Sequence, residues 1–200
     1  WLAQMRKTFG VQSIVLVGGE SSKTAYPGLS VTGAAQKIRE IDPTLVLGGI
    51  TIPTRQGEEK RVLQKSLAGV TFFTTQILYE SKEIKRFLKA YWELCQKENV
   101  SPSMIFLSFA PAAMPADVRL LKWLGVDISQ ETEERITAGW LGIGARSLDV
   151  CQDVLNDILS FVKKQNIRVP LGLNVEHVNR HNFELSFSLL ERLSKVYLQK

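Results

Sequence analysis

The chain has 200 residues, 44% of them hydrophobic and 22% charged, which suits an ordinary globular domain and excludes a disordered chain, a collagen-like fibre or a disulfide-rich miniprotein. Lys and Arg number 25 against 20 Asp and Glu, a net charge of +5 spread without a basic block or an aromatic-rich basic face, so no nucleic-acid partner is expected. The mild positive bias favours an anionic small molecule.

Residues 2–8 read as the tail of a helix that starts ahead of Trp1. Residues 13–17 (SIVLV) follow, a β-branched run between Gly10 and Gly18-Gly19 that reads as a strand buried on both faces. Four more runs repeat the theme, at 44–51 (TLVLGGIT), 70–76 (VTFFTTQ), 104–109 (MIFLSF) and 169–175 (VPLGLNV). Helical periodicity fills the intervals. At 82–96 the residues Ile84, Phe87, Leu88, Tyr91, Leu94 and Cys95 recur at steps that place them on one face, and Leu148, Cys151, Leu155, Ile158 and Val162 do the same later. Further helices are expected at 31–41, 58–67, 116–124 and 183–197. The segment 139–146 (GWLGIGAR) reads as an inserted loop. Its Gly142-Ile143-Gly144 follows no strand, so it is not a nucleotide fingerprint.

Strict alternation of strand and helix predicts an α/β fold with right-handed crossovers, organised as a single domain over residues 1–200. Two architectures satisfy it, an open doubly wound sheet and a (β/α)8 TIM barrel. No apolar run approaches the ~18 residues of a membrane span, and no membrane partner is expected. The only two cysteines, Cys95 and Cys151, fall in helical stretches away from any ligand-spaced partner, which points to a reducing, cytoplasmic setting.

In either architecture the functional edge lies where strands end. Those ends carry Gly18, Gly19 and Glu20; Thr51-Ile52-Pro53-Thr54; Thr75-Gln76; Ala110-Pro111; and Asn174, Glu176 and His177. Carboxylates and amides facing one mouth can bind a heterocycle and tune a ring nitrogen's proton. Glu58, Arg61 and Lys65 share one helix face and suit a phosphate or ribose, or form a solvated ion-pair ladder. His177 and His181 lie four apart but lack a third ligand, so no metal is expected.

Several segments in this order resemble the methylenetetrahydrofolate reductase family: GVQSIVLVGGE (10–20), AYPG (25–28), KSLAGVTFFTTQILYE (65–80), FLSFAP (106–111) and KWLGVDI (122–128). That family is a FAD-binding (β/α)8 barrel which reduces methylenetetrahydrofolate to methyltetrahydrofolate in one-carbon metabolism. The resemblance implies that the five strands are the fourth to eighth of the barrel. The first three βα units and a strand-one catalytic glutamate would then lie ahead of Trp1.

The resemblance also assigns roles. Glu20 matches the acidic residue near flavin and pterin, although the family has Asp there, after an Arg where this chain has Gly18. Gln76 matches the folate-contacting glutamine and Tyr26 an aromatic residue beside the flavin. Glu58, Arg61 and Lys65 fall where the FAD ribose and phosphates are held, Gly18 and Gly19 beside the cofactor, and Arg180 near a folate-binding basic residue.

Two of the family's features are replaced. Ala113, Met114 and Pro115 stand in the place of an aromatic residue, and Ile50-Thr51-Ile52-Pro53 in the place of a Tyr-Pro-Glu. The resemblance implies FAD and a folate as ligands and leaves the electron donor open, with NAD(P)H one candidate, and a homo-oligomer or redox partner subunit is allowed. A folate-binding barrel subunit without catalysis and a pterin-dependent methyltransferase are the alternatives.

Overall fold

The computed structural model describes residues 1–19, 27–139 and 141–199. Five parallel strands alternate with helices: α1 (Leu2–Phe9), β1 (Ser13–Leu16), α2 (Val31–Ile41), β2 (Val46–Thr51), α3 (Glu58–Leu67), β3 (Phe72–Thr75), α4 (Lys82–Lys97), β4 (Met104–Phe109), α5 (Pro115–Trp123), α6 (Gln130–Thr137), α7 (Ile143–Lys164), β5 (Leu171–Val175) and α8 (Phe183–Leu198). A single 3-10 turn, Arg180–Asn182, leads into α8.

The spatial order of the strands is their sequence order, β1-β2-β3-β4-β5, and every neighbouring pair is parallel. A doubly wound sheet reverses direction at a switch point, and this sheet never does. The architecture is therefore singly wound, the order of a (β/α)8 barrel wall, and the open doubly wound alternative is excluded.

Register separates the two faces. Leu47, Phe73, Ile105, Leu107 and Phe109 are fully buried beneath the helices. Each such side chain contributes about 1.5–3 kcal/mol relative to exposure. The buried stripe of α4 (Ile84, Phe87, Leu88, Tyr91, Cys95) and that of α7 (Leu148, Cys151, Leu155, Ile158) join them in one connected core. The opposite, concave face carries Val15, Val46, Phe72, Met104 and Phe106. There the Phe72 and Phe106 rings meet edge to face at 5.6 Å. The rings lie across neighbouring strands at Gly48 and Gly172. A Cβ at either glycine would fall 2.2 and 2.5 Å respectively from a ring carbon, so both positions require the missing side chain.

Two expected features change. The segment 139–146 is not wholly a loop: Gly142, in the left-handed region at φ 81°, caps α7, whose first residues are Ile143 and Gly144. An additional helix, α6, stands ahead of it, capped by the Ser129 hydroxyl accepting from the Thr132 N–H at 3.2 Å. Among the described residues no helix is long and apolar enough to cross a membrane.

Candidate functional site

Unequal strand lengths open a cleft at the C-terminal edge of the sheet. The β1 ladder ends with Leu16 opposite Gly49, while β2 continues through Ile50 and Thr51. The carbonyls of Leu47 and Thr51 accept from Thr71 and Gln76 on the β3 side. By alternation the Ile50 carbonyl faces β1, beyond the point where β1 supplies a donor.

Lys65 fills that vacancy, its Nζ donating to the Ile50 carbonyl at 3.0 Å and standing 5.9 Å from the Phe73 ring centre. Burial pushes the ammonium below its ordinary pKa, and the Arg55 and Arg61 charges act in the same direction against the opposing Glu58. Around this anchor Val17, Gly18, Gly19, Ile50, Arg55, Arg61, Lys65, Gln76 and Gly125 enclose a cleft of about 740 Å³. That volume lies within the range of small-molecule sites. The Gln76 amide reaches across to donate to the Leu124 carbonyl at 3.2 Å.

Gly18, Gly19, Arg61, Lys65 and Gln76 thus share one cleft. Glu58 does not line it. Only 1% exposed, its Oε1 accepts from the Thr51 hydroxyl and the Ile52 N–H, both at 3.2 Å, clamping the β2–α3 loop. Its Oε2 lies 3.6 Å from Arg61, whose guanidinium also donates to the Gln56 carbonyl at 2.7 Å. Glu20 and Tyr26 lie outside the described residues.

Arg180 belongs to a separate cleft of about 620 Å³ beyond β5, which it shares with His177, Asn179, His181, Phe183 and Glu184. Asp117, 2% exposed, organises that side of the mouth. Its Oδ2 accepts from the N–H groups of Ala113 (2.8 Å) and Met114 (3.2 Å) and from Asn182 (3.1 Å). Its Oδ1 accepts from Asn179 at 2.7 Å and lies 3.0 Å from His181 Nε2.

Sequence reasoning missed Asp117 and Arg55. The signal for Asp117 was local, since an acid two residues after Pro115 at a helix start is a capping position. Arg55 stands in the loop directly after a strand end. Both cysteines are buried, and burial pushes the Cys151 thiol up to about 12, which leaves it inert as a nucleophile.

Residues 4–137 match the family model for the mycobacterial methylenetetrahydrofolate reductase, more than half of the chain. The chain belongs to the mycobacterial methylenetetrahydrofolate reductase family. A solved structure of an uncharacterised Clostridium thermocellum protein, which binds two copies of 5-methyl-5,6,7,8-tetrahydrofolic acid, superposes with a TM-score of 0.76 at 25% identity. The match covers 91% of this chain and 63% of that one, so this member of the reductase family spans less than two thirds of its structural relative. A 3-keto-L-gulonate-6-phosphate decarboxylase from Vibrio cholerae aligns over 97% of this chain and 91% of its own, but at 12% identity and a TM-score of 0.38 it carries no argument. No curated protein matches the sequence.

The resemblance to the wider reductase family implies FAD, and the described residues do not fit its ribose and diphosphate as assigned. Glu58 is turned into the β2–α3 loop, Lys65 is committed to the Ile50 carbonyl, and Arg61 is engaged by Gln56 and Glu58. Glu58 and Glu59 also occupy the first turn of α3, where their charge opposes a phosphate at the helix N-terminus. Among the described residues Arg55 is the cation of this cleft whose side chain has neither a backbone nor a side-chain acceptor, one donor group where a diphosphate needs several.

Proposed function

We propose that this chain forms the folate-binding wall of a (β/α)8 barrel that reduces 5,10-methylenetetrahydrofolate to 5-methyltetrahydrofolate, with NAD(P)H as the hydride donor. The observation that carries the reading is the cleft at the strand ends, where the Gln76 amide stands with Arg55, Arg61 and Lys65. An amide suits the donor and acceptor edges of a pterin. The free Arg55 suits a carboxylate of a folate's glutamate tail, which asks for fewer donors than a diphosphate. The binding of 5-methyltetrahydrofolate by the Clostridium thermocellum relative supports the substrate class, and membership of the reductase family supports the reaction.

In this reaction the bond from the bridging methylene carbon to N10 breaks and N10 gains a proton. The carbon, left as an iminium on N5, receives the hydride and becomes a methyl group while the nicotinamide is oxidised. The contribution of this chain is to hold the pterin through Gln76 and to draw in the anionic tail. The engagement of Glu58, Arg61 and Lys65 with protein acceptors supports a direct route from the nicotinamide.

The test uses the full-length protein. NAD(P)H oxidation that depends on methylenetetrahydrofolate, by protein without flavin absorption bands, is the expected result. Flavin bands that bleach with a reductant and return with the folate would restore FAD as the relay. Tight folate binding without any NAD(P)H oxidation would replace the reductase by a binding subunit. Within the expected outcome, Gln76→Ala lowers kcat/KM for the folate about 30-fold, or about 2 kcal/mol of transition-state stabilisation, with the fold unchanged by circular dichroism.

A further inference from the structure

The C-terminal ends of β4 and β5 carry a second recognition element that this reading has not used. On the concave face the apolar layer of Phe72 and Phe106 is followed by polar side chains. The register places Ser108 beside Asn174, and Glu176 extends the ladder by one residue, its N–H donating to the Phe109 carbonyl at 2.8 Å. Alternation brings Phe106, Ser108, Asn174 and Glu176 to the same face. Ser108 is fully buried, while Asn174 and Glu176 are partly buried. The two hydrogens of the Asn174 amide are both committed: Nδ2 donates to Ser108 Oγ at 3.0 Å and to Glu176 Oε1 at 2.9 Å. The carboxylate is therefore held from a buried anchor. Among the described residues it has no cationic partner.

A carboxylate half withdrawn from water, with one oxygen satisfied and no counter-charge, is costly unless a ligand completes it. Two adjacent, coplanar N–H groups satisfy such a carboxylate best. A 2-amino-4-oxopterin presents that pair in its N3–H and 2-amino groups. We propose that Glu176 accepts both from the pterin ring of the folate, with Asn174 as the positioning residue. The inference rests on the folate reading above. Gln76 directly follows β3 on the same face, two strand spacings across and two residues short of Glu176 along the strands, about 12 Å away, a span that a pterin ring and its hydrogen bonds bridge.

The test is calorimetric binding to the full-length protein of three probes: 5-methyltetrahydrofolate, its analogue with the 2-amino group replaced by methyl, and p-aminobenzoylglutamate, which lacks the pterin. Glu176→Gln is expected to weaken 5-methyltetrahydrofolate about 30-fold and to leave p-aminobenzoylglutamate unchanged. The wild type is expected to bind the 2-methyl analogue more weakly than 5-methyltetrahydrofolate, and the substitution is expected to cost that analogue, which keeps only N3–H, less than it costs 5-methyltetrahydrofolate. Asn174→Ala should show the same selective pattern at about 5-fold.

An E176Q protein that binds 5-methyltetrahydrofolate as tightly as the wild type overturns the proposal and leaves the folate reading standing. So does a loss shared equally by p-aminobenzoylglutamate. Should E176Q not fold, the analogue decides with the wild type alone, since equal affinity for the two pterins overturns the proposal. A wild type that binds no folate removes both readings together.

Discussion

Replacing Asp117 with alanine is expected to lower the free energy of unfolding by about 3–5 kcal/mol, the range for removing one partner from a buried charged network. The substitution leaves the N–H groups of Ala113 and Met114 without their acceptor, together with the side chains of Asn179, His181 and Asn182. Asn182 is itself fully buried, and its side-chain amide would keep only the bond to the Pro111 carbonyl. Asp117→Asn preserves the shape but turns one acceptor into a donor among donors, and about half the loss is expected.

The pH dependence has a definite sign. Burial alone raises the Asp117 pKa, but the hydrogen bonds from Ala113, Asn182, His181 and Met114 outweigh it and hold the carboxyl below its ordinary value. A depressed folded-state pKa gives a contribution that is complete above the unfolded value, near 3.9, and is lost as pH falls through the folded value. The stability gap between wild type and Asp117→Asn should therefore stay constant from neutral pH down to about pH 4 and close below it. Urea denaturation across that range measures the gap, and a gap that widens on acidification contradicts the assignment. Because Asp117 ties the β4–α5 loop to the turn holding Arg180 and His181, its loss also loosens the second cleft.

The strands were legible because continuous apolar runs mark elements covered on both faces. The expected runs nonetheless begin two residues early, at 44, 70 and 169, where the ladders begin at Val46, Phe72 and Leu171. Leu45, Val70 and Val169 are buried before pairing starts, so apolarity reports burial and not the hydrogen-bonded ladder. Helix α6 escaped notice because Ile136 is its single buried residue, leaving no apolar face to give a period.

The gathering of Gly18, Gly19, Arg61, Lys65 and Gln76 in one cleft was legible in part, because parallel strands deliver their ends to one edge. What each side chain does there was not. Lys65 is bound where it is because β1 stops pairing before β2 does, a fact of register with no local trace. Asp117 meets residues 62–65 positions away in the chain, beyond the reach of any motif.

The polypeptide of residues 1–200 on its own is expected to self-associate rather than remain a monomer. Val15 and Val46 are each 44% exposed and Met104 37% exposed on the concave face, and Val17 is 73% exposed just past the end of β1. In a closed barrel that face is the packed interior. Among the described residues β1 and β5 pair only with β2 and β4, which leaves two parallel edges with unpaired backbone groups. Exposed apolar surface and open edges are the two ordinary templates for aggregation. A wall wound in one direction is relieved of both by further βα units closing the circle, and we propose that the same polypeptide supplies them. Light scattering after size exclusion, with a thermal melt, tests this. Self-association of the 200 residues, set against a monodisperse and cooperatively melting longer protein, is the expected result. A monomeric, cooperatively melting 200-residue polypeptide would show that the arc is sufficient by itself, and the folate would then bind on an open sheet face instead of in a barrel mouth.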